Sequence, residues 1–305
     1  MLIYIVIVSI FSINSYQYTN MHKSLKWQLT TAAFIIAHWF FAIPAVAAEK
    51  PLHRDSILIA SAKKGYFKSV EWLVSAGADV NMKDKRGETC LMYAVKKGNE
   101  EAFTSLMQSG ADPLGKDKYG TSVLWRALHA KNWNPNILLP LLKADKRVNE
   151  RDRNGRTPLM VIAKKSGPDY TNIILQLIQE GADVNAKDTL GNTPLMYALG
   201  TKFMGNNDHT MTMQILKSSG ANMNARNDSG RTPLMFAAMN GRAMEVSEFV
   251  KTGIDVNIRD SSGKTALALA EESEKKQVKL PPNQRISKIG LEESMILLKN
   301  YGAKE

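Results

Sequence analysis

The sequence predicts an all-α solenoid of about seven helix-turn-helix units joined by β-turn tips. Two recurring blocks and their spacing predict it. The front block reads GETCLMYA (Gly87–Ala94), GTSVLWRA (Gly120–Ala127), GRTPLMVI (Gly155–Ile162), GNTPLMYA (Gly191–Ala198), GRTPLMFAA (Gly230–Ala238) and GKTALALA (Gly263–Ala270). The back block reads GADVN (Gly77–Asn81), GADPL (Gly110–Leu114), KADKRVN (Lys143–Asn149), GADVN (Gly181–Asn185), GANMN (Gly220–Asn224) and GIDVN (Gly253–Asn257). The front-block glycines advance in steps of 33, 35, 36, 39 and 33 residues. Self-similarity at that period marks helical hairpins that cannot bury an apolar face alone and stack to do so.

The first element is a leader, residues 1–48, whose only strong charges are Lys23 and Lys26. From Met21 it has a basic start, an apolar run over Leu29–Ile43, then Pro44 and the small residues Ala45-Val46-Ala47-Ala48. That is the layout of a secretory signal peptide cleaved after Ala47 or Ala48. Residues 1–20 are apolar without a basic region and read as an upstream extension, with Met21 as the start. Left uncleaved, Leu29–Ala48 is long enough to span a bilayer. No cysteine follows the apolar run, which argues against a lipoprotein anchor. The expected location is the bacterial periplasm or the exterior.

The repeat domain spans 53–305, with units starting near 53, 87, 120, 155, 191, 230 and 263. The first unit, His53–Arg86, lacks the T-P-L signature and is expected to cap the stack. In the later units an Asp three before the glycine (Asp84, Asp117, Asp152, Asp188, Asp260; Asn227 once) suits the start of a tight turn. The glycine admits φ > 0. Thr157, Thr193 and Thr232 can cap a helix whose first residue is Pro158, Pro194 or Pro233, where a missing N–H is harmless. Second helices run through Ser69–Gly77, Asn172–Gly181 and Glu245–Gly253, each closed by its glycine. Three irregularities interrupt the period: Lys131–Asn136, Gly200–Met211 and Glu274–Gly290. Gly290–Ala303 supplies a closing helix.

These blocks resemble the ankyrin repeat over roughly residues 53–305. The family usually has His after the Leu of T-P-L; here the residue is Met92, Trp125, Met160, Met196, Met235 or Ala268. The polar bridge of that His is therefore expected to give way to apolar packing. The resemblance implies a non-enzymatic binding scaffold whose turn tips and first-helix ends line a concave face.

Charge is the best functional clue. The chain has 40 Lys+Arg against 29 Asp+Glu. Residues 53–165 hold 21 basic and 12 acidic side chains, whereas 166–305 hold 16 of each, so the excess lies in the first half of the stack. On the face that the resemblance makes concave it comprises Lys63, Lys64, Lys83, Lys85, Arg86, Lys96, Lys97, Lys116, Lys118, Arg151, Arg153, Arg156, Lys164 and Lys165, with Tyr119 as partner-binding aromatic. Trp125 and Trp133 are further candidate anchors. Such a surface steers an acidic protein partner. The plain alternative is a solvated basic face, because one basic residue before each turn (Lys83, Lys116, Arg151, Lys187, Arg226, Arg259) is ordinary for the family.

Catalytic and metal chemistry finds little support. His53, His129 and His209 lie far apart, and no Cys/His cluster or paired-histidine helix occurs. Cys90, the only cysteine, takes the Pro position of T-P-L and reads as a small core hydrophobe. The recurring methionines read as core filler rather than soft-metal ligands. No Gly-rich phosphate loop or G-x-S-x-G elbow is present. The expected function is a monomeric, exported interaction scaffold with no cofactor and no nucleic-acid partner. The resemblance also allows an immunity protein neutralising a toxic effector such as a lipase, and the charge allows a binder of anionic envelope lipid or polysaccharide.

Overall fold

A computed structural model of the chain describes residues 51–304, apart from 133, 145–146, 166, 201–209 and 278–285. The leader, residues 201–209 of the insertion at 200–211 and residues 278–285 of that at 274–290 therefore lie outside the described residues. Among the described residues no strand forms and no helix is long and apolar enough to cross a membrane.

Among the described residues seven helix pairs follow one another. They are α1 (Pro51–Lys64) and α2 (Phe67–Ser75), α3 (Cys90–Lys97) and α4 (Glu100–Gln108), and α5 (Val123–Leu128) and α6 (Pro135–Ala144). Next come α7 (Pro158–Ala163) and α8 (Pro168–Gln179), then α9 (Pro194–Leu199) and α10 (Thr210–Ser218). The last are α11 (Pro233–Met239) and α12 (Ala243–Lys251), and α13 (Ala266–Gln277) and α14 (Lys288–Asn300). Odd-numbered helices pack on odd-numbered neighbours and even on even, so the pairs stack as a solenoid. The core runs between the two helix layers, from Leu58 through Leu91, Leu124, Leu159, Leu195, Leu234 and Leu267 to Leu298. Leu91, Leu124, Leu159, Leu195, Leu234 and Leu267 are the leucines at the T-P-L position of units two to seven.

The first helices start as the residues dictate. Thr89, Ser122, Thr157, Thr193, Thr232 and Thr265 each accept the N–H three residues on, at 3.3–3.4 Å. The missing histidine bridge is replaced in part by sulfur. The Thr157 and Thr232 N–H groups donate to Met160 Sδ and Met235 Sδ at 3.4 Å, so the thioether packs in the core and still takes the bond. Packing alone was expected there. Met92, Met160, Met196 and Met235 are all buried.

The tips are tight turns. Gly87 N–H donates to Asp84 O at 2.8 Å, and Asp84 Oδ1 accepts from the Arg86 and Glu88 N–H at 2.7 and 2.9 Å. Gly87 has φ +73°, and a Cβ there would stand 2.7 Å from Lys118 N of the next tip. Adjacent tips are joined by backbone bonds, Lys118 N to Arg86 O (2.9 Å), Thr189 N to Asn154 O (3.0 Å), Asp228 N to Leu190 O (3.1 Å) and Ser261 N to Ser229 O (2.9 Å). The back-block asparagines add a second seam. Asn185 donates Nδ2–H to Gly220 O at 2.9 Å and accepts from Asn222 N at 2.7 Å, and Asn81, Asn149 and Asn257 repeat the pattern. This is why Asn closes G-A-D-V-N: its amide matches one carbonyl and one N–H of the next unit.

The Lys131–Asn136 irregularity is a shaped contact. Asn132 packs so closely on Gly98 that a Cβ there would stand 2.3 Å from its carbonyl oxygen. Asn134 and Asn136 both donate to Glu100 Oε2, at 3.1 and 3.0 Å.

Candidate docking face

Three rows of basic residues run along the tips and first helices, and they do different work. The row just before the tips holds the stack together. Lys83 Nζ donates to Lys116 O at 3.1 Å, and Lys187 Nζ to Arg226 O at 3.0 Å. Arg226 reaches Arg259 O at 2.8 Å, and Arg151 bonds Gly155 O (2.9 Å) and Lys187 O. Lys116 is paired with Glu150. Of the candidate docking residues, Lys83, Lys116 and Arg151 thus belong to this ladder.

The second row lies at the tips themselves: Lys85 and Arg86, then Lys118 and Tyr119, then Arg153, all exposed. The Tyr119 ring, 56 % exposed, has the Lys118 ammonium 5.0 Å and the Arg153 guanidinium 5.9 Å from its centroid. Arg153 Nη2 also reaches Tyr119 O at 3.5 Å. A Cβ at Gly120 would meet nothing within 4 Å, whereas at Gly87, Gly155 and Gly191 it would meet the next tip's backbone within 3 Å. The tip carrying Tyr119 stands apart from its neighbour, and side chains bridge the space.

The third row closes the first helices: Lys63 and Lys64, Lys96 and Lys97, His129, then Lys164 and Lys165. The lysines are exposed except for the half-buried Lys165. His129 is held in one tautomer. Trp125 O can only accept, so Nδ1, at 2.9 Å, carries the proton, and Nε2 accepts from Arg156 Nη2 at 3.2 Å. Arg156, half-buried, is also paired with Asp152 at 2.6 Å. Trp125 is not an anchor: it is buried in the core at 4 % exposure, with its ring against His129. Its place after the T-P-L leucine equivalent makes it a core position. Trp133 lies outside the described residues.

The acidic groups near these rows are engaged. Burial works to raise the Asp84 carboxyl, but the Glu88 and Arg86 N–H groups, the Tyr93 hydroxyl and the Lys63 charge outweigh it and hold it below the ordinary value. Asp117 is held low against its burial by the Thr121 N–H and Arg126, and Asp152 by Arg156. Burial, then the bonds to Glu88 and Asp84, push the Tyr93 phenol up. Lys64, Lys85, Arg86, Lys96, Lys97, Lys118, Lys164 and Lys165 are left facing outward without a carboxylate partner among the described residues. In later units the tip positions carry Thr189 and Leu190, Asp228 and Ser229, and Ser261 and Ser262, and the ninth residue after the tip glycine is Gly200, Met239 or Glu272.

Sequence reasoning missed one part of this face. Met196, Tyr197, Gly200 and Phe236, together with Lys164 and Asn192, line an open hollow of about 180 Å³. The signal available was Gly200, a glycine where other units place a long side chain.

A family model described as Ankyrin repeats (3 copies) matches residues 57–133, 124–207 and 201–280. No curated protein matches the chain.

Proposed function

The chain belongs to the ankyrin-repeat family, whose repeats form protein-interaction modules, and from that premise we propose that it is a non-enzymatic, exported scaffold that grips an acidic protein through units one to four. One observation carries the reading. The outward lysines and arginines of two rows, Lys64, Lys85, Arg86, Lys96, Lys97, Lys118, Lys164 and Lys165, stand on one face without partner carboxylates, while the same positions in units five to seven are neutral or acidic, with Thr189, Gly200, Asp228, Met239, Ser261 and Glu272. A cluster of like charge desolvates poorly and repels itself, so it is suited to a partner that brings the opposite charge. The Tyr119 ring beside two cations adds an amphipathic anchor to that field.

Export is inferred from the Met21–Ala48 leader, and it directs the reading toward a partner in the periplasm. Protein capture, rather than binding of nucleic acid, follows from that location. In this reading the face acts as a clamp: it blocks or holds its partner and needs no chemistry of its own.

The test is affinity capture of the tagged protein from its native cells, compared with a variant carrying Lys85→Glu, Arg86→Glu, Lys96→Glu and Lys97→Glu. All four side chains are exposed, so the fold is expected to survive. The partner recovered with the native protein is expected to be acidic and to be lost with the variant. Undiminished recovery with the variant overturns the proposal.

A further inference from the structure

The two outward-facing basic rows end at unit four, and the hollow at Gly200 begins where they end. The ninth residue after the tip glycine is Lys96, His129, Lys164, Met239 and Glu272 in other units, but Gly200 in the fifth. Gly200 caps α9 with φ −75° and ψ −6°, an ordinary helical conformation, so no left-handed geometry demands glycine there. A Cβ at 200 would stand 2.9 Å from Met196 O and 3.6 Å from Phe236 Cδ1, so the close approach of the Met196 carbonyl favours glycine, and the absent side chain leaves the space beside Phe236 open. The walls are fixed. The Tyr197 hydroxyl donates to Asp188 Oδ2 at 2.7 Å, Phe236 packs on the core, and Met196 is buried. About 180 Å³ is the size of one large side chain, since an apolar cavity of roughly 150 Å³ accepts a benzene ring.

The rim is polarised. Lys164 stands on the side of unit four, and Lys165 follows it, whereas the unit-six side presents Phe236. We propose that the hollow at Gly200 receives one large apolar side chain of the partner protein, and that the partner's acidic residues lie on the side of that anchor facing Lys164 and Lys165. This deepens the function proposed above and rests on it. First helices of adjacent units stand about 8–10 Å apart. An extended partner segment covers that distance in about three residues, so its first carboxylate sits within about three residues of the anchor. The fixed walls favour a rigid anchor, because little side-chain ordering remains to oppose binding.

The experiment selects randomised linear peptides, displayed on phage, on the full-length protein, and measures the enriched peptides by fluorescence anisotropy. Enriched sequences are expected to carry one Leu, Met, Phe or Trp with Asp or Glu within about three residues on one side. Replacing the apolar residue of the peptide by Ser is expected to weaken binding by about tenfold or more, as is Lys164→Glu in the protein. The Ser substitution leaves the protein untouched, so a folding defect cannot mimic it. Phe236→Ala, checked by circular dichroism, is expected to give a similar loss. Acidic peptides whose affinity ignores the apolar residue and Phe236 overturn the hollow as an anchor site and leave the basic clamp standing. Enriched peptides without acids, or a selection that returns no binding peptide, overturn both.

Discussion

The Arg126 guanidinium nitrogen Nη2 lies 2.6 Å from Asp117 Oδ2 and 2.6 Å from Glu88 Oε1, so one side chain of the third unit joins its own tip to the second unit. Both carboxylates are almost fully buried. An acid placed there is tolerated only with its partner, because an uncompensated buried charge is expensive.

Arg126→Leu is therefore expected to destabilise the protein by about 3 kcal/mol. Adding Glu88→Gln and Asp117→Asn to it is expected to recover a large part of that loss. Urea unfolding followed by circular dichroism measures both. A triple variant no more stable than the single one contradicts the pairing.

The tip aspartates set the acid limit of the fold. Asp84, Asp117, Asp152, Asp188 and Asp260 are all held below their ordinary value, with turn N–H groups and neighbouring side chains overcoming burial. A carboxyl with a depressed folded pKa contributes stability that is complete above its unfolded value, about 3.9, and is lost as pH falls through the folded one. The melting temperature is expected to be level with respect to these groups above about pH 5 and to fall below about pH 4. Asp188→Asn is expected to lower it at neutral pH and to flatten the acid limb.

Two basic rows on one face are expected to respond differently to truncation. Lys83→Ala removes a bond to Lys116 O and is expected to destabilise by about 1 kcal/mol. Lys85→Ala and Lys97→Ala remove outward side chains and are expected to stay within about 0.5 kcal/mol. Partner capture is expected to show the reverse order.

Asn185→Ala breaks the seam between the fourth and fifth units, losing bonds to Gly220 O and Asn222 N. A loss of about 1–2 kcal/mol is expected, read by urea unfolding. An unchanged midpoint refutes the seam.

Cys90 is buried, and burial pushes its thiol up to about 12. It is expected to resist a thiol reagent in the folded protein and to react once the chain is unfolded. Cys90→Pro is expected to stabilise by about 0.5 kcal/mol, because Thr89 already holds extended backbone at φ −97°, ψ 168° and the first helical position needs no N–H. Rapid labelling of the native protein excludes this placement.

Much of the architecture was legible in local chemistry. Asp84 and Gly87 announce a turn, Thr157 and Pro158 a helix start, and Gly181 a helix end, because each acts through its own backbone within a few residues. Their period then requires stacking, since a two-helix unit leaves an apolar face exposed. The fate of a given side chain was not legible in the same way. Lys83 and Lys85 are two residues apart and equally basic, yet one bonds the next unit's carbonyl and the other faces outward. Trp125 sits beside the basic residues in the chain and is buried in the core.

The repeated unit, its turns and caps, and the confinement of excess positive charge to residues 53–165 follow from composition and from contacts within one unit. Which cations are tied into the ladder between units, the bonds from backbone N–H groups to the Met160 and Met235 thioethers, and the hollow beside Phe236 at Gly200 came from the packing of one unit on the next. Those outcomes depend on distances between units some 33 to 39 residues apart, and such distances are set by packing across the whole stack rather than by any local preference.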